Sequence, residues 1–487
     1  MKTVHLAYFG AISLLLVILY LEVKTDFLSI RFGLAATKAD GTFKEVDDNG
    51  GASSHSHASV SSYGGATKRN KDSCSSYSNL PESGTLNLSD KAVIGRMTTG
   101  KKVLVTGGGG FIGSHVARHC LELGFNVVVV DDLSGGFHKN LPTQPEGKSN
   151  RFKFVQADLK DADFVSKLFE EEKFDVVYHL AAYAAEGLSH FIRNYNYKNN
   201  LIASTNLITQ AVRVGTVKKF VFTSSIAVYG SGRTPMTEDM EPEPEDPYGI
   251  SKQAVEQDLK AAKQMWGMDY VVFRPHNVYG PGQNIYDKYR NVVGIFLNQL
   301  QAGKSLTVFG DGTQTRKFSY VDDVAYPIAV SGVLDHVGGE VFNVGGDIAT
   351  TVNELAEVVL ETWDGKLQGK SADYITHLDA RNEVAHAESD HQKLNCYFPN
   401  LPKPIGLRDG MKVMVEWSNK TGQYFKPVEF EAVEILKKMP KSWVKDGMKE
   451  VPAFNHDAKD NYMEDTLVKN EPETTTRRRN LRKIVTK

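Results

Sequence analysis

The chain has 487 residues, with 57 basic and 59 acidic side chains, a net charge of -2, and 41% hydrophobic residues that include 24 Phe and 20 Tyr. That content supports a sizeable core and excludes wholesale disorder, while the near-balanced charge leaves no electrostatic footprint for nucleic acid. Its three cysteines, Cys74, Cys120 and Cys396, cannot build a disulfide framework and lack the paired spacing of a zinc site, so no metal is expected. The length suits about three domains, or one large domain with tails.

Thr3 to Leu21 is a run of 19 residues without formal charge. That is close to the roughly 20 apolar residues a helix needs to span a bilayer, so residues 1–25 read as a membrane anchor, with a cleaved signal peptide as the alternative. The flanking charges, Lys2 on one side and Lys24, Arg31 and Lys38 on the other, do not point the following domain into a lumen. Between Gly50 and Ser89, 17 of 40 residues are Gly or Ser. Such a segment buries too little apolar surface to offset its ordering entropy, and residues 26–99 are expected to form a flexible stalk. His55 and His57 within it read as solvated. Asn87-Leu88-Ser89 and Asn419-Lys420-Thr421 are glycosylation sequons. Residues 446–487 read as a disordered tail whose Arg477-Arg478-Arg479 and Arg482-Lys483 are solvated, contact with anionic lipid being the other reading.

From Lys101 to about Lys445 short β-branched runs alternate with longer helical patterns. Val103 to Val105, Val127 to Val130, Phe152 to Val155, Asp175 to His179, Phe220 to Phe222 and Tyr270 to Phe273 are the predicted strands. This alternation predicts an α/β fold, a doubly wound parallel sheet with helices on both faces and ligand at the carboxyl ends of the strands. After the first run comes Thr106-Gly107-Gly108-Gly109-Gly110-Phe111-Ile112-Gly113, which matches Gly108-x-Gly110-x-x-Gly113 and also Gly107-x-x-Gly110-x-x-Gly113. Glycines there permit a tight turn and let backbone amides approach a pyrophosphate at a helix amino terminus. Asp131, ending the second run, suits the hydroxyls of an adenosine ribose and repels a 2′-phosphate, which favours NAD over NADP. Asp132 follows it, and the sequence does not choose between the two carboxylates.

Tyr248 and Lys252 stand four apart, on one face of a helix that opens after the acidic, proline-broken loop Glu238 to Pro247. Ser225 follows the predicted strand Phe220 to Phe222. A phenol with an ordinary pKa near 10 needs neighbouring positive charge to act as a base at neutral pH, and Lys252 is placed to supply it. Ser225 is placed to share the proton.

Gly107 to Gly113, Asp131, His179-Leu180-Ala181-Ala182, Thr223-Ser224-Ser225 with Val228-Tyr229-Gly230, and the Tyr248/Lys252 pair together resemble the extended short-chain dehydrogenase/reductases. More narrowly, they resemble the NAD-dependent nucleotide-sugar epimerase/dehydratase group, and among these the UDP-glucose 4-epimerases. The resemblance implies a Rossmann domain over residues 100–275 and a smaller, partly interleaved sugar-nucleotide subdomain over 276–445. It implies NAD contacts from Gly107, Gly110, Phe111, Ile112, Gly113, Asp131, Asp158, Leu159, Ala181, Tyr248 and Lys252. It further implies catalysis by Ser225, Tyr248 and Lys252, and substrate contacts from Ser225, Asn200, Asn277, Arg316 and Arg381. Arginine suits a diphosphate because its planar fork binds two oxygens at once. His179 reads as a packed histidine, and His276, beside Asn277, as a structural one, contact with substrate being the other reading.

Within the group the dehydratases carry an Asp-Glu pair where this chain has Ile226-Ala227. The decarboxylases use Glu, and the 3,5-epimerases Cys, at the position of Ala227. What remains is oxidation and re-reduction at C4, so a 4-epimerase acting on a nucleotide sugar, most simply a UDP-sugar, is expected. Ala184 stands where epimerases of galactose metabolism have Lys, which weakens a glucose/galactose assignment. Ala387 falls at the position that gates 2-acetamido sugars. The alternatives are a decarboxylase or dehydratase, a membrane-tethered NAD-dependent alcohol dehydrogenase, and a non-catalytic NAD-sensing module. The resemblance also implies a homodimer through the helix carrying Tyr248 and its neighbour. Anchor, stalk and sugar-enzyme domain in that order resemble the single-pass enzymes of the Golgi or ER. A cytosol-facing domain, or a lumenal one after signal cleavage, are the other arrangements.

Overall fold

The computed structural model describes residues 74–451 except 79, 82–86, 144–149, 368, 370, 381–385, 422–429, 431 and 442. The candidate membrane segment, most of the stalk and the basic tail lie outside the described residues. Among those described, no helix is long and apolar enough to cross a membrane.

Six strands fall on the six predicted runs: β1 (Lys102–Thr106), β2 (Asn126–Asp131), β3 (Phe152–Gln156), β4 (Val176–His179), β5 (Lys219–Thr223) and β6 (Asp269–Pro275). A seventh, β7 (Val341–Val344), which the sequence reading did not single out, pairs with β6. The order is β7–β6–β5–β4–β1–β2–β3, and every pairing is parallel.

Successive side chains of a strand face opposite ways, and here both faces are apolar. Val103, Val105, Val127, Val129 and Tyr178 enter one core, whereas Leu104, Val128, Val130, Val177, Phe220 and Phe222 enter the other. On the first face α2 (Phe111–Leu123) packs beside α6 (Val321–Ser331). The second is covered by α3 (Ala162–Glu172), α4 (Ala203–Val214) and α5 (Pro247–Trp266). The start of α5 is fixed locally: the Asp246 carboxylate accepts from the amides of Tyr248 and Gly249, and Pro247 occupies the first turn, where no amide is needed.

The ordered domain starts earlier than the stalk boundary predicted at residue 99. Leu88 and Ile94 are fully buried, and α1 (Lys91–Thr98) packs on α2. Tyr326 donates its hydroxyl to the Leu88 carbonyl at 2.5 Å. The reason is apolar: Leu88, Ile94 and Tyr77 join the main core despite their Ser/Gly-rich surroundings. At the other end residues 446–451, expected in the tail, are part of the fold, since Lys449–Glu450 pairs with Ala432–Val433.

The cysteine count also conceals a bridge. Cys74 and Cys396 form a disulfide with Cα atoms 5.7 Å apart and a sequence separation of 322, while Cys120 is free and buried. It is one bond rather than a framework, and neither spacing nor number announces it. Beside it Tyr397 donates to the Ser78 carbonyl at 2.7 Å. Closing so long a loop restricts the unfolded chain, so Cys74→Ser is expected to lower stability by about 2–4 kcal/mol. Non-reducing peptide mapping should recover the Cys74–Cys396 pair, and alkylation of both thiols in the oxidised native protein would contradict it.

Candidate active site

One cleft of about 830 Å³ runs along the carboxyl ends of the strands, where β1 and β4 lie side by side and the chain turns away in opposite directions. The glycine loop forms its floor. Gly107 adopts φ +69°, and a Cβ there would stand 2.7 Å from the Ala181 nitrogen. A Cβ on Gly113 would stand 2.1 Å from the Gly107 carbonyl oxygen. Gly110 caps α2 without any side-chain hydrogen bond, leaving the amides of that helix start directed at the cleft. A dinucleotide pyrophosphate fits this cradle, whose close backbone packing a side chain at Gly107 or Gly113 would break.

The carboxylate of Asp131 accepts from the amides of Gly109 at 2.9 Å and Leu133 at 2.8 Å. Burial pushes it up to about 6 against those hydrogen bonds. Asp132 caps Ser134. Both line the cleft, as do Gly107, Gly110, Phe111, Ile112, Gly113, Asp158, Leu159 and Ala181. The predicted cofactor residues of the glycine loop and the ends of β2 to β4 thus line one cleft.

Ser225, Tyr248 and Lys252 meet farther along the cleft. Burial, with the nearby Glu186 carboxyl, holds the Tyr248 phenol well above the ordinary value, and the neighbouring Ser225 hydroxyl opposes that shift. Lys252 donates to the Thr223 carbonyl at 2.8 Å and lies 5.7 Å from the centre of the Tyr248 ring. Burial pushes that ammonium down to about 7, with the Glu256 charge opposing. Burial thus opposes the charge of the cation expected to activate Tyr248.

The loop bearing Ser225 rests on a buried charge network. Arg274 donates to both Glu256 oxygens at 3.0 and 2.5 Å, Ser224 donates to the same carboxylate at 2.5 Å, and Arg274 lies 4.7 Å over the Tyr229 ring. Strand β6, helix α5 and the turn after β5 are thereby tied together behind Ser225.

Of the predicted substrate residues, Ser225, Asn277 and Arg316 line the cleft. Asn277 sits at φ +39°, uncommon for a side-chain-bearing residue and frequent at functional sites. Ala387 lines the cleft too, in register with Arg316. Arg381 lies outside the described residues. Asn200 is a correction: it is 1% exposed, accepts from the Tyr183 amide at 2.8 Å, and donates to the Tyr183 carbonyl and the Asn196 side chain. It holds the 183 loop rather than facing a ligand. His179 is packed as expected, bonded to Thr106 and Ser204 at 2.7 Å each and pushed down to about 3 by burial. His276 is on the cleft wall, but its two ring nitrogens meet the Lys317 carbonyl and His391 at 2.9 Å each, so its first role is to hold the wall.

Sequence reasoning missed Glu186, Arg290 and Trp443, which all line the cleft. Glu186 is exposed to it, yet the surrounding protein and the Asp246 charge push its carboxyl up to about 7, Arg316 opposing. Arg290 pairs with Asp287 at 2.8 Å and lies 5.6 Å from the Tyr183 ring centre. None of the three sits in a spaced motif, so nothing in the one-dimensional pattern marks them.

Residues 103–345 match the sequence model of the NAD dependent epimerase/dehydratase family. The UDP-glucose 4-epimerase of Mycolicibacterium smegmatis is 38% identical over 256 residues, covering 52% of this chain and 80% of that protein. The human dTDP-D-glucose 4,6-dehydratase is 30% identical over 338 residues, covering 68% and 93% respectively. The crystal structure of a UDP-glucose 4-epimerase from Thermotoga maritima with UDP-glucose superposes with TM-score 0.59 at 34% identity, covering 66% of this chain and 99% of that one. The chain belongs to the NAD-dependent epimerase/dehydratase family, and NAD is its cofactor.

A ribose hydroxyl donating to Asp131 favours the ionised carboxylate. Because that group titrates near 6, NAD affinity should hold above this pH and fall below it, by roughly tenfold at pH 5. Asp131→Asn should bind weakly at all pH and lose the dependence. Isothermal titration between pH 5 and 8 checks both, and a flat wild-type profile would contradict the assignment.

Proposed function

We propose that this protein is a nucleotide-sugar 4-epimerase acting on a UDP-sugar. The observation that carries the reading is the lining of the cleft between cofactor and phosphate ends. Ser225, Tyr248 and Lys252 stand together, and the adjoining Ile226 and Ala227 have no proton to exchange. Tyr248 would take the proton of the C4 hydroxyl with Ser225 bridging, and return it after the ketone has turned over. Arg316 suits the diphosphate about which the sugar turns. NAD, when bound, stores the hydride between the two half-reactions and adds positive charge beside Tyr248. A site that only moves a proton and a hydride at one carbon, in both directions, leaves every atom of the substrate in place.

A small side chain at Ala387 on the cleft wall supports room for a 2-acetamido group. A second reading, a dehydratase, is favoured by one feature: Glu186 brings a carboxyl near neutrality to the same cleft. Proton NMR of the protein with UDP-, GDP- and dTDP-sugars separates the two. A new C4 epimer without NADH accumulation is expected, whereas a deoxy-keto sugar would establish the dehydratase. Tyr248→Phe should reduce turnover by at least 100-fold and leave NAD bound, and persistent turnover would overturn the assignment.

A homodimer through α4 and α5 remains our proposal, supported by the exposure of Ile202, Ile250, Met265 and Trp266 on or beside those helices. We further propose a lumenal location, in the Golgi or ER, behind the candidate anchor. The Cys74–Cys396 bond supports it, since such bonds persist in oxidising compartments, and Asn87 and Asn419 are exposed. In cells with a secretory pathway, N-glycosidase should shift the wild-type band and leave the Asn87→Gln/Asn419→Gln double variant unmoved. An unshifted wild-type band together with protease sensitivity in sealed microsomes would place the domain in the cytosol.

A further inference from the structure

Beyond the residues matched to the family, the chain folds back across the cleft. The segment from Phe430 to Val451 is closed on itself by the pairing of Ala432–Val433 with Lys449–Glu450 and by the Val451 amide on the Val433 carbonyl at 2.8 Å. It is fastened to the loop after β4. The amides of Glu434 and Ile435 donate to the Phe191 carbonyl at 2.9 and 3.2 Å, and the Glu434 carboxylate accepts from the amides of Asn194 and Tyr195 at 2.8 and 2.9 Å. Phe430, Val433 and Met439 are buried with Tyr183, Leu188, Ile192 and Tyr289 in an apolar cluster distinct from the two sheet cores.

The consequence for the cleft is Trp443. Its ring stands edge-on to Tyr289 at 5.2 Å and to Phe191 at 6.3 Å, which fixes the indole in place. A Cβ on Gly187 would lie 3.1 Å from the indole Cη2, so the ring is seated directly on the backbone of that glycine. Gly187 follows Glu186, whose charge acts on Tyr248 and is offset by Arg316. The indole therefore lines the cleft at the backbone of Gly187, next to Glu186, which lines it too. A hexose held there has its C–H faces and its hydroxyls to satisfy, and an aromatic wall beside a carboxyl offers both kinds of contact.

We propose that the 430–451 strap is part of the active site and that Trp443, with Glu186 beside it, is a specificity-determining wall for the sugar ring. This rests on the nucleotide-sugar reading. NAD and the nucleoside diphosphate are held by other segments, so the strap selects the sugar and leaves those affinities unchanged.

The test compares full-length wild type, Trp443→Ala and Trp443→Phe, using the dissociation constants of UDP and of a panel of UDP-sugars, with turnover followed by NMR. Trp443→Ala should weaken UDP-sugars by roughly 10–100-fold, raise KM more than it lowers kcat, and leave UDP and NAD binding within about twofold. Trp443→Phe should recover most of the loss, which mere unfolding of the strap would not predict. An unchanged ratio of UDP-sugar to UDP affinity in Trp443→Ala overturns the strap proposal, whether or not the wild type epimerises. Wild type that binds UDP-sugars without turning them over would overturn the epimerase reading while the same ratio still judges the strap. Wild type that binds no UDP-sugar more tightly than UDP would overturn both.

Discussion

Where β1 and β4 run side by side, the chain leaves one as the glycine loop and the other as the Leu180–Ala182 turn, and the two backbones come within side-chain distance. The Gly107 Cα has no room for a Cβ against Ala181, and Gly113 has none against the Gly107 carbonyl. This close approach seats the start of α2 on the sheet with its first amides uncapped. It also decides where an anion can be held by backbone alone, without a cationic side chain, and the rest of the cleft is arranged from that point outward.

The end of the cleft bearing Ser225, Tyr248 and Lys252 is held by a different force. Arg274, Glu256 and Ser224 form a buried, charge-assisted network at 2.5 to 3.0 Å, and removing one partner of such a pair strands the other charge in a low-dielectric interior. A network this costly to disturb fixes the turn bearing Ser225 against the helix bearing Tyr248 and Lys252. The same enclosure that gives precision moves the proton equilibria. The enclosing protein lowers the Lys252 ammonium and, with the Asp246 charge, raises the Glu186 carboxyl, so the cleft disfavours charge on both. Charge delivered with NAD then acts on Tyr248 in a medium where it is weakly screened.

Around this frame the chain adds two closures, both long-range. The Cys74–Cys396 bond and the Tyr326–Leu88 hydrogen bond draw the segment before α1 onto the domain, and the 430–451 strap draws the other end over the cleft. The first attaches the segment that leads in from the residues read as a stalk, and the second completes a wall of the site.

The sequence by itself determined the sheet and its cofactor wall, because both depend on local pattern. Alternation of β-branched runs with helical segments marks each of β1 to β6, and the spacing from Gly107 to Gly113 and on to Asp131 is set within one βαβ unit. Tyr248 and Lys252 are legible for the same reason, being one helical turn apart. What only the tertiary structure decided is what distant segments do when they meet. Asn200 looks like a ligand residue until its amide is seen closing on Tyr183, and Glu186 and Arg290 have no motif to announce them. The pairing of Cys74 with Cys396 and the arrival of Trp443 at Gly187 join residues hundreds of positions apart. Periodicity carries information over a few residues, whereas burial, proton affinity and the shape of a cleft are properties of neighbours in space.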